Sequence, residues 1–240
     1  LCPRRYVLDR RLRVGADTSL HAAFGTLIHD VLEATEQEAL DAGRSHSTLA
    51  AALDVFAARF DPIEFSGPPF SDSWALRAQD GLTRLYENWP APKRRAAFLE
   101  LTLETEIGGI KWTGRADRID VAAKGLTVVD YKTSRNPLSN AEAAESLQLG
   151  FYALAASRHQ QLAEMGPVVG AELWFPMAPR QKVVTRRFDM DLLADVESRL
   201  ASIASGIRTE TWDPLPGPHC ERCDLRPLCP VWAQGGGGFE

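Results

Sequence analysis

No stretch of about 18 apolar residues occurs anywhere in the 240 residues, so no segment reads as a membrane span. The opening Leu1-Cys2-Pro3-Arg4-Arg5-Tyr6 has charges but no apolar run behind them, which is not the pattern of a secretory leader. With neither feature, a cytoplasmic location is expected. Cysteine is scarce, four residues in all, and nothing points to the oxidising compartments where disulfide scaffolds form. An initiator methionine is missing as well, so the chain reads as a segment of a longer polypeptide. Positive charge is also in short supply. A formal net charge of −5 gives no broad basic surface, so any polyanion would have to be met by a local stripe.

What is present suits a globular domain. Hydrophobic residues at 45% and charged ones at 25% supply material for a core and an ordinary surface. Basic residues gather at Arg4, Arg5, Arg10, Arg11 and Arg13, at Lys93-Arg94-Arg95, and at Arg180, Lys182, Arg186 and Arg187. Each run serves equally well as a solvated helix face or strand edge.

The order of elements is legible from periodicity. Pro3–Arg13 predicts a short basic helix. From His21 to Ala42, Phe24, Leu27, Ile28, Val31 and Leu32 recur at helical spacing and Gly43 supplies a stop. Helices follow over Ser47–Phe60 and Ser71–Asn88, separated by the breakers Asp61-Pro62 and Ser66-Gly67-Pro68-Pro69. The pattern then alternates. Phe98–Ile107, the turn Gly108-Gly109 and Ile110–Val121 make a hairpin, and Leu126–Tyr131 makes a third, mostly buried strand. A helix over Ala141–His159, strands near Val168–Pro176 and Lys182–Phe188, and a helix over Asp191–Ile207 complete the order. The tail is rich in Pro and Cys and fades into Gly235–Gly238. Together these predict an α/β core with a helical insertion after its first helix.

The sharpest local signal is Val128-Val129-Asp130-Tyr131-Lys132. On a strand, i and i+2 share a face, so Asp130 and Lys132 should project together from an otherwise apolar strand. Alone, such a pair is also what a surface ion pair at a strand end looks like. The preceding strand carries Gly114-Arg115-Ala116-Asp117-Arg118, where the glycine permits close approach and Asp117 comes within reach of Asp130. Two carboxylates beside one lysine suit Mg²⁺ or Mn²⁺, with the ammonium activating or placing a water. An ion pair of Asp117 with Arg115 or Arg118 is the bland alternative. His29, among apolar helix neighbours, is either a core residue or a third ligand. Gln148 and Tyr152, at i and i+4, share a helical face.

Taken in order, GxxxH at Gly25–His29, GxxDR at Gly114–Arg118, DYK at Asp130–Lys132 and QxxxY at Gln148–Tyr152 resemble the motifs of RecB-like nucleases of the PD-(D/E)XK superfamily. The resemblance implies that superfamily's restriction-endonuclease-like core, a central mixed sheet flanked by helices. It implies metal ligation by His29, Asp117, Asp130 and the Tyr131 carbonyl, catalysis by Asp117, Asp130 and Lys132, and support from Gln148 and Tyr152. It implies DNA as substrate, single-stranded by preference, and a helicase motor in the same or a partner chain. A catalytically silent DNA-binding copy is the competing reading. Intact Asp117, Asp130 and Lys132 speak against it.

The four cysteines are Cys2 and the cluster Cys220-x2-Cys223-x5-Cys229. On composition they could form two disulfides, a Zn²⁺ site or an iron–sulfur cluster. The iron–sulfur members of the resembled group place one cysteine before the core, in a C-P-x-x-Y/F context, and three after it. That implies a [4Fe–4S] cluster on all four thiolates, with Zn²⁺ as the alternative occupant. One domain over 1–240 is expected. It divides into a ligand segment 1–20, a helical region 21–96, a nuclease core 97–209, a cysteine segment 210–232 and a tail 233–240.

Overall fold

Alternation and helical periodicity sort the chain into two layers of helix around one sheet, and the computed structural model describes residues 2–12 and 19–233 of it. Arg13 and Gly235–Gly238 lie outside the described residues. Three helices come first: α2 over Leu20–Asp41, α3 over Leu49–Arg59 and α4 over Phe70–Glu87, after a single turn α1 at Pro3–Tyr6 that runs on as a π-helical turn to Arg11. The Ser19 side chain caps α2 by accepting from the Ala22 amide, which satisfies an otherwise orphaned N–H. Buried Phe24, Ile28, Val31, Leu32, Thr35, Glu36 and Ala39 recur every three to four residues along it, the stripe that a core-facing helix needs.

The strands are β1 Arg95–Ile107, β2 Ile110–Ala122, β3 Gly125–Tyr131, β4 Val168–Phe175 and β5 Val184–Arg187. They form one sheet in the order β1-β2-β3-β4-β5, antiparallel except for the parallel β3–β4 pair. A parallel neighbour needs a crossover, and the chain between β3 and β4 supplies it as helices. The expected single helix over Ala141–His159 is instead α5 Asn140–Ala144 and α6 Leu147–Arg158, followed by α7 Gln160–Met165. Ser146 causes the break: its side chain accepts from the Leu149 amide and restarts the helix. A long helix α8, Leu193–Arg208, follows β5, and a single turn α9 at Pro230–Ala233 comes last among the described residues.

Strand β3 shows how the sheet divides the interior. Leu126 and Val128 belong to one apolar cluster with α6 and α8. Val129 and Tyr131 belong to another with α2, α3 and α4. Seven consecutive buried residues make β3 the central strand, as a sheet covered on both faces requires. Among the described residues no helix is long and apolar enough to cross a membrane.

Candidate active site

Asp130 projects from β3 toward α6, on the side of Leu126 and Val128. Lys132, two residues on, returns to the same side, and its Nζ lies 2.6 Å from Asp130 Oδ2. Gln148, in the first turn of α6, joins them. Its Oε1 accepts from Lys132 Nζ at 3.0 Å, and its Nε2 donates to Asp130 Oδ1 at 3.0 Å and to the Tyr152 hydroxyl at 3.1 Å. Gly114 makes this approach possible: a Cβ there would stand 2.7 Å from carbons of both the Phe151 and Tyr152 rings. Helix α6 can therefore press onto β2 only because β2 has no side chain at that point.

Asp117 lies one residue past the last paired position of β2 and β3, Arg118 with Val129. Its Oδ2 accepts from the Tyr131 amide at 2.5 Å and its Oδ1 sits 3.3 Å from His29 Nδ1. The alternative pairings fall away. Arg115 bonds Glu100 and reaches Glu33, while Arg118 turns to Asp120 and Glu36. Tyr131 contributes backbone to the site, and its ring packs into the second cluster edge-on to His29, 6.3 Å between centroids.

One participant carries no sequence motif. Glu100 on β1 sits beside Asp117, and a ligand atom from each of His29, Glu100 and Asp117 lies within 4.8 Å of the other two. An octahedral Mg²⁺ with bonds of about 2.1 Å holds opposite ligand atoms roughly 4.2 Å apart, so one imidazole and two carboxylates are gathered at nearly the spacing a hard cation needs. Glu100 in an alternating strand looks like any exposed acid. The only available signal was its place opposite Asp117 in a hairpin of known turn.

The electrostatics match the geometry. Burial, then the nearby Asp117 charge, pushes the Asp130 carboxyl up to about 6 although Lys132 and His29 pull it down. His29 is lowered by burial but raised more by its bond to Asp117 and by the surrounding carboxylates, for a net upward shift. Burial also raises Glu100, reinforced by Asp117. Several acids are thus held close together with too little positive charge of their own.

The basic runs mostly have other work. Arg94 bonds Glu172 and Asp120, Arg187 bonds Glu172, Arg186 donates to the Leu138 carbonyl and Arg5 pairs with Asp224. Nor do the aromatics Tyr6, Trp112 and Tyr152 gather into a stacking surface. Trp112 packs against the first cluster, Tyr152 is buried, and Tyr6 stacks on Trp212 far along the chain. The four cysteines do converge: Cys2, Cys220, Cys223 and Cys229 line one cavity between the start and the end of the chain, and none is disulfide-bonded. Burial raises the Cys2 thiol, but backbone N–H groups of Leu215, Arg5 and Arg4 lower it more, favouring thiolate.

Comparison with known proteins places these features. The chain is 26% identical over 265 residues to the Gene 69 protein of Mycobacterium phage D29, covering 96% of this chain and 93% of that protein. It is 28% identical over 137 residues to the Gene 69 protein of Mycobacterium phage L5, covering 56% and 44% respectively. The fold resembles the crystal structure of a candidate exonuclease from Eubacterium rectale, with a TM-score of 0.55, 13% identity, and coverage of 99% of this chain and 82% of that one. A profile of the PD-(D/E)XK nuclease superfamily matches residues 1–230; the chain belongs to that superfamily.

Proposed function

We propose that the protein is a Mg²⁺- or Mn²⁺-dependent deoxyribonuclease that hydrolyses phosphodiester bonds, preferring single-stranded DNA, in end processing or recombinational repair alongside a helicase motor. The observation that carries this is the convergence of Asp130 and Lys132 at the end of β3 with Asp117 from within β2 and His29 from within α2, within a superfamily of nucleases. His29, Asp117, Asp130 and the Tyr131 carbonyl would hold the cation. When bound, it supplies positive charge against the phosphate and acidifies water. Lys132 is one-third exposed and clamped between Asp130 and Gln148, so its ammonium is aimed rather than free. It can donate to a phosphate oxygen or order the attacking water, and such oriented charge costs no reorganisation during reaction. Tyr152, its hydroxyl on Gln148, fixes the amide that holds the lysine.

The preference for an unpaired strand is supported by charge. Duplex binding draws strength from neutralising many phosphates, while the net charge is −5 and several arginines are already paired with carboxylates. The name of the Eubacterium rectale protein agrees with exonucleolytic action. For the cysteines we favour a [4Fe–4S] cluster over Zn²⁺, tying Cys2 to a segment more than 200 residues away; closing so long a loop removes unfolded-state entropy. End-labelled single-stranded and blunt duplex DNA of one sequence, cut with Mn²⁺ at matched salt, test the preference: faster loss of the single strand is expected, and equal or faster duplex cutting contradicts it. Anaerobically purified protein should hold about four Fe per chain; stoichiometric Zn without Fe refutes the cluster.

A further inference from the structure

Glu100 stands in an unusual place. It lies within β1, yet its φ is +49°, a left-handed conformation that a non-glycine residue rarely adopts in a strand. The alternation of both hairpin strands slips at this step. Phe98 and Leu101, three apart, both pack on the first cluster, and so do Ala116 and Ile119 across from them. The registers on either side, Leu99 with Arg118 and Leu101 with Ala116, bracket Glu100 opposite Asp117. Directly opposed residues of an antiparallel pair share a face, so the two carboxylates are presented together, and the left-handed turn of the Glu100 backbone adds a local distortion at that point. Strain of this kind persists where the surroundings enforce it, and it concentrates at working sites.

We propose that Glu100 is a direct ligand of the divalent cation and that Arg115 is the internal cation which occupies its carboxylate when metal is absent. The proposal rests on the metal site described above and extends it by two residues. Burial separates the roles: the Glu100 side chain is 13% exposed, whereas that of Arg115 is 58% exposed. Arg115 can move into water at little cost; Glu100 cannot. The guanidinium also has a second acceptor ready, Glu33 Oε2 at 3.4 Å, one helical turn after His29 on α2. Arg115 thus bridges Glu100 and Glu33 at the rim, and a cation drawn to His29, Asp117 and Glu100 would displace it toward Glu33 and solvent. The guanidinium end of the pair is solvated, and water screens and replaces its side of the bond, so the exchange is feasible.

Mn²⁺ titration of the full chain, read by the paramagnetic resonance of the free ion, tests this without DNA. Glu100→Gln should weaken Mn²⁺ binding at least tenfold, and Arg115→Gln should tighten it about threefold, because a competitor has gone. Asp117→Asn serves as the control and should abolish binding. Glu100→Gln binding within twofold of wild type, while Asp117→Asn has lost the ion, would overturn the proposal and leave the site intact. Wild-type binding by Asp117→Asn would instead overturn the site itself. Arg115→Gln binding more weakly than wild type would remove Arg115 from its assigned role. If Glu100→Gln does not fold, Glu100→Asp replaces it; retaining charge while withdrawing the oxygen, it must still bind more weakly.

Discussion

Asp117 and Arg118 are neighbours on β2, yet they belong to two polar groups built on opposite principles. Arg118 is completely buried. Its Nε donates to Asp120 at 2.5 Å, its Nη1 to Glu36 at 2.7 Å and its Nη2 to the Ser45 carbonyl at 3.1 Å, and the guanidinium lies over the Trp89 ring. Glu36 also accepts from the Tyr86 hydroxyl and the Ser47 amide. Arg94 links Asp120 to Glu172, which binds Arg187 and the Trp174 indole. Three arginines meet three carboxylates, and the group is neutral within itself. The site around Asp117 has three carboxylates against Lys132, a rim arginine and a histidine, with one carboxyl forced toward neutrality. The contrast separates a polar cluster that holds structure from the one proposed to do chemistry. A buried network that satisfies itself holds elements together; one left short of positive charge is built to receive it. Arg118 also performs a service for the site, since Glu36 lies seven residues after His29 on α2, so their ion pair fixes the helix that carries the histidine.

Breaking the balanced group should have the largest effect on stability. Arg118→Met leaves buried Glu36 without its cation and Asp120 with Arg94 alone, and removal of one member of a buried ion pair costs about 3–5 kcal/mol. Urea unfolding should show the midpoint fall accordingly. A loss under 1 kcal/mol would mean that the network is not what ties α2 to β2.

Lys132→Ala acts on the other group. Cleavage should drop ~10²-fold or more, while the melting temperature stays near wild type because the lysine is part-exposed. A variant that cuts DNA at near wild-type rate would deprive the lysine of its role.

The smallest effect concerns metal-free stability and has a definite sign. Asp130 ionises at about 6 in the folded protein, above the roughly 3.9 of an unfolded chain. The folded state therefore holds this proton more tightly, and a destabilising contribution grows in as pH rises from about 4 to about 6. Without metal, Asp130→Asn should be the more stable protein at pH 7.5, on the order of 1 kcal/mol or roughly 2–4 °C in Tm. The gap should close by pH 4. Lower stability of Asp130→Asn at pH 7.5 would show that Lys132 alone neutralises the carboxylate.

Much of this contrast was legible in the sequence. Asp130 and Lys132 share a side because strands have a period of two, and Gln148 and Tyr152 share one because helices return after four residues. Gly114 marked a close approach, which the rings of Phe151 and Tyr152 now explain. What escaped reading depended on distance or on broken regularity. The partner of Arg118 lies 82 residues away on α2, so neither period could reveal it, and Arg94 sat in a basic run that read equally well as a solvated edge. Glu100 joins the site as the cross-strand neighbour of Asp117, which hairpin register implies but no motif marks, and its left-handed backbone is invisible to a pattern of regular strands. Helix α6 starts afresh because Ser146 caps it, a local competition that apolar periodicity overlooks.

The central claim is that Asp117, not its neighbour, belongs to the chemistry. Cleavage of labelled single-stranded DNA with Mn²⁺, measured for wild type and Asp117→Asn beside their thermal melts, tests it most directly. The account predicts at least a hundredfold loss of cleavage in a variant that melts at or above the wild-type temperature. Asp117→Asn protein that cuts at the wild-type rate, or loses activity only in proportion to lost folding, would contradict it.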